Sequence, residues 1–117
     1  MSLSARNWAW DVETITAEGK ERRLLVGEKA TLLCLAEHEN TDLGYAFPSQ
    51  SLIARKTGLV ERSVRRHIIT LAAVKAIVIT KKRSREGKWL SNVYVLNVPA
   101  SYRTKDKAWL AARATDY

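Results

Sequence analysis

The sequence predicts an α+β chain, mainly helical: a three-helix core, a C-terminal β-hairpin after it, and a possible terminal helix. Three observations carry this expectation. Apolar residues recur at helical spacing from Leu32 to Ala36, at Leu52 and Ile53, and from Val64 to Ala72. Gly58 stands as a breaker between the last two stretches. Two runs rich in β-branched residues, "AIVIT" and "SNVYVLNV", then flank the basic loop "KKRSREGKW".

The elements follow in order. The opening Met1-Ser2-Leu3 has the form of an expression leader and is given no weight. In "RNWAWDVETIT", Arg6 to Thr16, the residues Trp8, Trp10 and Val12 alternate with polar neighbours. That is the period of a strand, or of an arm laid on the core. "AEGKERR" reads as a polar turn, so residues 1–26 form an N-terminal arm packing on the core. From Gly27 to Glu39, good helix formers carry an apolar face of Leu32, Leu33, Leu35 and Ala36. Asn40 to Phe47 is a loop broken by Gly44.

Pro48-Ser49 starts a second helix, where the Ser49 hydroxyl can accept from a free amide of the first turn. It runs to Thr57, and Gly58 ends it in a left-handed cap. A third helix covers Glu61 to Val74. Its Val64, Ile68, Leu71 and Ala72 make one inward stripe, with Arg62 and Arg66 almost opposite. Strands at Ala76–Thr80 and Ser91–Val98 form a hairpin with a long charged tip, stopped by Pro99. Residues 27–98 thus read as one domain, and 99–117 as an extension whose Thr104–Ala114 stretch, with Trp109 and Leu110, is helical.

Charge narrows the function. The net +8 is unevenly placed: residues 1–50 hold five Lys/Arg against eight Asp/Glu, and residues 51–117 hold fifteen against four. Between Arg55 and Lys88 eleven basic residues face only Glu61 and Glu86. Such a one-sided field attracts polyanions; its plain alternative is a solvated, solubility-giving face. No apolar run reaches the length of a membrane span, which argues against a membrane partner. The single cysteine, Cys34, excludes an internal disulfide and fits a reducing cytoplasm.

Catalysis and cofactors find little support. Cys34 and His38 have an i, i+4 ligand spacing, but a structural zinc needs four donors, so no metal is expected. Cys34 in "LLCLA" reads as a small apolar filler. No glycine-rich phosphate loop, Ser-His-Asp order or inward carboxylate pair stands out, and no enzyme activity or cofactor is expected.

Two short helices joined at a glycine and followed by a hairpin make a specific frame. Crossing helices need a small residue on the first, a glycine in the turn and aliphatic filling on the second. Ala54, Gly58, and the pair Leu59 and Val64 supply these, with Ile53 beneath. "FPSQSLIARKTGLVERSVRRHIITL", then "IVITKKRSREGKWLSNVYVLNV", resembles the winged helix-turn-helix domains of prokaryotic and phage DNA-binding proteins. The likeness is greatest to the phage and plasmid replication-protein group, through the Pro48-Ser49 start, Ile53-Ala54 and Thr57-Gly58 in the first helix, and "RSVRR" in the second. It covers about Leu32 to Val98. It implies that the third helix enters the major groove of DNA and that the hairpin is a wing on the flanking backbone. Two positions depart from the pattern: Val60 stands where Ser or Thr usually caps the recognition helix, and Lys75 where Gly usually joins helix to wing.

On this reading Arg62, Ser63 and Arg66 approach base edges, because an arginine fork can bond guanine N7 and O6 together. Arg65 and Thr70 sit nearer the DNA backbone. Ser49 and Gln50 bind phosphate at the start of their helix. In the wing, Lys81, Lys82, Arg83, Arg85 and Lys88 hold phosphate or reach a minor groove. Trp89 is hairpin packing, His67 a satisfied half-buried histidine, and Ile69 either touches a thymine methyl or covers the wing. The expected function is sequence-specific binding of double-stranded DNA, in replication initiation or transcription regulation of a bacterial or mobile genetic element. A homodimer is a possible partner state, with Trp8, Trp10 and Trp109 either packing the termini or forming its seam. The rivals are a protein-interaction module on the same scaffold, and a single-strand or RNA binder that stacks bases on Trp89.

Overall fold

The computed structural model describes residues 2–81, 83, 86–87 and 92–114. The chain begins with a helix, not a strand: α1 spans Leu3–Asp11. Ser2 is buried and its hydroxyl caps the helix, accepting from the Ala5 amide at 3.3 Å, so the supposed leader has a structural role. Ala5, Trp8 and Ala9 are buried at i, i+3 and i+4, whereas Trp10 stands 61 % exposed. The alternation of Trp8, Trp10 and Val12 therefore mimicked a strand while the helical stripe lay in the alanines.

Lys29 closes the far end of α1. Its ammonium group donates to the carbonyls of Ala9, Trp10 and Val12 at 2.7, 2.6 and 2.6 Å. Three donors thus meet three carbonyls at the negative end of the helix. Burial lowers the Lys29 pKa from its ordinary value, opposed by the charges of Glu13 and Asp11.

The stretch expected to be a polar turn is a hairpin. Strand β1 (Thr14–Ala17) pairs antiparallel with β2 (Lys20–Arg23), Thr14 opposite Arg23. Glu18 and Gly19 both have positive φ, 53° and 77°, as a two-residue hairpin turn favours.

Helix α2 (Val26–Glu37) is the central beam, burying Thr31, Leu32, Leu35 and Ala36. Helix α3 (Gln50–Thr57) begins as expected, with the Ser49 hydroxyl accepting from the Leu52 amide at 3.1 Å. Gly58 closes it at φ 80°, donating to the Ala54 carbonyl. Helix α4 (Glu61–Ala73) buries Val64, His67, Ile68 and Leu71. Ile53, Ala54 and Val64 meet in the core, with Leu59 packed against it. The α2–α4 core is thus the expected one, and α1 adds Ala5, Trp8 and Ala9 to it.

Lys75 follows α4 at φ 65°, the left-handed turn that a glycine would adopt without strain. Asn97 holds that turn, its side-chain amide donating to the Lys75 carbonyl at 2.7 Å. Strands β3 (Ile77–Thr80) and β4 (Val93–Leu96) then pair antiparallel, Ile77 opposite Leu96. Ala46 bridges to Tyr94 through two backbone bonds of 2.7 and 2.9 Å, fastening the wing to the loop before α3.

After Pro99 come α5 (Ala100–Arg103) and α6 (Lys107–Ala114). They form a clasp with the start of the chain. Arg103 makes a bidentate pair with Glu39, both bonds 2.9 Å, with the Glu39 side chain fully buried. The same guanidinium donates to Ser2 and Ser4 and lies 3.5 Å from the Trp109 ring centre. Asp106 accepts from the Ser4 amide and hydroxyl at 2.9 and 2.6 Å, and from the Trp109 amide at 3.1 Å. Burial pushes the Asp106 carboxyl up, but these hydrogen bonds outweigh it and the net shift is downward.

Candidate nucleic-acid interface

Helix α4 sets the site. Its apolar residues recur at one angle, so packing them on α2 and α3 turns the opposite side to solvent. Arg62, Arg65 and Arg66 are all exposed there, and Ile69 is 61 % exposed one turn beyond. The guanidinium groups of the three arginines make no hydrogen bond or ion pair among the described residues. The face is therefore cationic over its first two turns and apolar over the last.

The N-terminus of α4 has no side-chain cap, because Val60 carries no acceptor. Glu61 in the first turn places a carboxylate near the positive end of the helix. Ser63 is half-buried, so it offers less surface than its arginine neighbours. The Thr70 hydroxyl donates to the Arg66 carbonyl at 3.1 Å, which commits its proton inside the helix.

Ser49 and Gln50 lie at the start of α3, as the sequence suggested. They line a crevice of about 340 Å³ together with Ser51, Glu61, Asn92 and Tyr94. Burial raises the Tyr94 pKa, opposed by its hydrogen bonds with Asn92 and Gln50. The crevice thus joins the α3 N-terminus, the α4 N-terminus and the wing. In the wing, Lys81 and Arg83 are exposed. Lys82, Arg85, Lys88 and Trp89 lie outside the described residues.

Two features of the site were not anticipated. One is the β1–β2 hairpin, which stands beside the C-terminal half of α4 across a groove of about 590 Å³. Thr16, Lys20, Glu21, Ile69, Thr70 and Ala73 line it. Only Gly19, following the β-branched run Thr14-Ile15-Thr16, could have signalled this element.

The other is the seat of His67. This side chain is buried, and it lies against Gly27 of α2, where any Cβ would collide with its Nε2. Glycine at 27 lets the two helices close on the imidazole. Beside it Glu28, 2 % exposed, accepts two bonds from Arg22 at 2.9 and 2.8 Å and one from the Leu25 amide. The Arg22 hydrogen bond holds Glu28 below the usual carboxylate range, partly offset by burial. Burial lowers the His67 pKa, with Glu28 opposing and Arg66 adding to the effect. A neutral ring behind a cationic face leaves the outward charge to the arginines.

Cys34 and His38 do approach each other, Sγ to Nδ1 at 3.8 Å, while His38 Nδ1 lies 2.8 Å from the Cys34 carbonyl. Among the described residues no three His, Cys, Asp or Glu side chains gather as metal ligands would. Among the same residues no helix is long and apolar enough to cross a membrane.

This arrangement defines a class: two helices set across a glycine turn, the second carrying an outward basic face, with a β-hairpin behind them. Comparison with known families agrees, since residues 22–73 match the family model described as a helix-turn-helix domain. That match runs from β2 to the last residue of α4. A helix-turn-helix domain implies DNA binding. No curated protein and no solved structure matches the chain.

Proposed function

We propose that this protein binds double-stranded DNA sequence-specifically as a winged helix-turn-helix, with α4 in the major groove. It acts in the cytoplasm by recognition and not by catalysis, in replication initiation or transcription regulation of a bacterial or mobile genetic element. The observation that carries this reading is the exposed Arg62–Arg65–Arg66 face. Its guanidinium groups have no partner among the described residues, on a helix whose other side is fixed in the core.

Arg62 and Arg66 reach base edges, with Ser63 beside them, and Arg65 and Thr70 take the backbone. Ser49 and Gln50 meet phosphate at the α3 N-terminus. Lys81 and Arg83, with Lys82, Arg85 and Lys88, supply the wing's contacts to the flanking strand. Ile69, too exposed to serve as a cover for the wing, meets a thymine methyl.

Fluorescence anisotropy on a random-sequence duplex, a matched single strand and a matched RNA tests the reading. The expected result is tightest binding to duplex, with a log–log salt slope of about 0.9 per phosphate neutralised. Site selection on the bound duplexes then yields the recognised sequence. Negligible duplex binding at low salt sinks the proposal, and preference for single strands or RNA transfers the function to the wing.

A further inference from the structure

Glycine is, after proline, the poorest helix former, so Gly27 in the first turn of α2 needs a cause. Conformation does not supply one: unlike Gly19, Gly44, Gly58 and Gly87, Gly27 has no positive φ. Space does. A Cβ there would collide with Nε2 of His67 and stand 3.0 Å from its Cδ2 and 3.3 Å from its Cε1. The outer edge of the imidazole therefore rests on bare α2 backbone.

That backbone is held on both sides. Thr31, fully buried, donates its hydroxyl to the Gly27 carbonyl at 2.7 Å. The next residue, Glu28, accepts from the Leu25 amide and from both terminal nitrogens of Arg22 on β2. On α4 the other buried residues, Val64, Ile68 and Leu71, are aliphatic, and their attraction to the core is non-directional. His67 adds a hard stop against a fixed surface, and it directly follows Arg66 in the chain.

We propose that the seat of His67 on Gly27 sets the depth and roll of α4 in the major groove. Both are then positioning residues for base readout, although neither touches DNA. This role rests on the reading of α4 as the duplex-binding helix and adds to it the source of sequence choice. Two kinds of contact respond differently when α4 shifts. A long basic side chain follows a phosphate by changing rotamer. A bidentate arginine–guanine pair carries about 5- to 150-fold of discrimination and needs placement within about 0.5 Å. A displaced α4 thus loses sequence choice while keeping its general hold on duplex.

The test is the ratio of affinities for the selected duplex and a random-sequence duplex, by fluorescence anisotropy of the full chain, with circular dichroism reporting the fold. Gly27→Ala brings a better helix former, so the collision with His67 is what acts against it. Its ratio should fall about tenfold, with random-duplex affinity and salt slope within about twofold of the parent. In Gly27→Ala/His67→Ala the short side chain at 67 leaves the new methyl room, and the ratio should recover about threefold or more. Where Gly27→Ala does not fold, His67→Ala decides: it deletes the stop without a clash and should lower the ratio about fivefold. Lost stability alone weakens binding to every duplex alike and leaves the ratio in place. A folded Gly27→Ala or His67→Ala with the parent's ratio overturns the proposal, as does a double variant no better than Gly27→Ala. A parent without preference among duplexes is a different failure, since it overturns the sequence-specific reading itself and the positioning role with it.

Discussion

The outward face of α4 and the clasp between the two ends of the chain are both built on arginine, in opposite circumstances. In the clasp, Arg103 gives hydrogen bonds to Glu39, Ser2 and Ser4 and stacks on Trp109, with its side chain 12 % exposed. Nearby, Arg113 donates both terminal nitrogens to the Thr41 carbonyl and lies 4.0 Å from the Trp109 ring centre. On α4, Arg62, Arg65 and Arg66 are exposed and make none of these contacts among the described residues. The residue type does not declare its role; the company it keeps does. A guanidinium satisfied from within holds the fold, whereas one left to solvent on a rigid helix is available to a ligand.

Substitutions at the two places should separate stability from binding. Arg103→Ala leaves the Glu39 carboxylate buried without its partner and should cost about 3–5 kcal/mol in urea unfolding, with duplex affinity of the folded fraction unchanged. Arg66→Ala should do the reverse: lose about 1–3 kcal/mol of binding to a selected site, relax base preference there, and leave the unfolding midpoint in place. A midpoint that moves with Arg66, or an affinity that moves with Arg103, would erase the distinction.

Smaller effects sharpen it. Deleting the C5 methyl of the contacted thymine, by deoxyuridine, should weaken parent binding by about 1 kcal/mol and leave Ile69→Ala indifferent. Behind α4, His67 gives a pH signature. Its pKa is held below the ordinary 6.5 by burial, so the unfolded chain takes up a proton before the folded one does. Its contribution is complete above pH 6.5 and is lost as pH falls below that value towards the folded pKa. Denaturant midpoints should therefore drop in mild acid, and His67→Gln should remove that step. Glu28 and Asp106, both shifted downward, lose their contributions only at lower pH, beneath the ordinary carboxylate range. Lys75→Gly relieves a left-handed lysine at φ 65° and should stabilise by about 0.5–1 kcal/mol, after the added freedom of the unfolded chain is counted.

Legibility in the sequence followed the distance over which each feature is encoded. The α3–turn–α4 frame could be read because Ala54, Gly58 and Val64 lie within eleven positions and each has a local reason. The same holds for the Ser49 cap and for the strained turn at Lys75. Helix α1 was misread because Trp8, Trp10 and Val12 satisfy a period of two, while Ala5 and Ala9, small and easily overlooked, carry the period that wins. The clasp was beyond reach: Glu39, Arg103 and Asp106 look like ordinary surface charges until the fold brings them together. The seat of His67 on Gly27 was equally hidden, since a glycine inside a helix announces close approach without naming what approaches.

The clasp also orders events in time. Ser4 is joined to Asp106 across 102 positions of sequence, whereas the α3–α4 frame needs only neighbouring residues. Contacts of such separation form late, because the intervening chain must first be gathered. On the ribosome Ser4 must wait until Asp106 has emerged. Through that interval the arginine face of α4 can already be assembled while the two ends are still apart, and the newborn chain is exposed to nucleic acid before its fold is fastened.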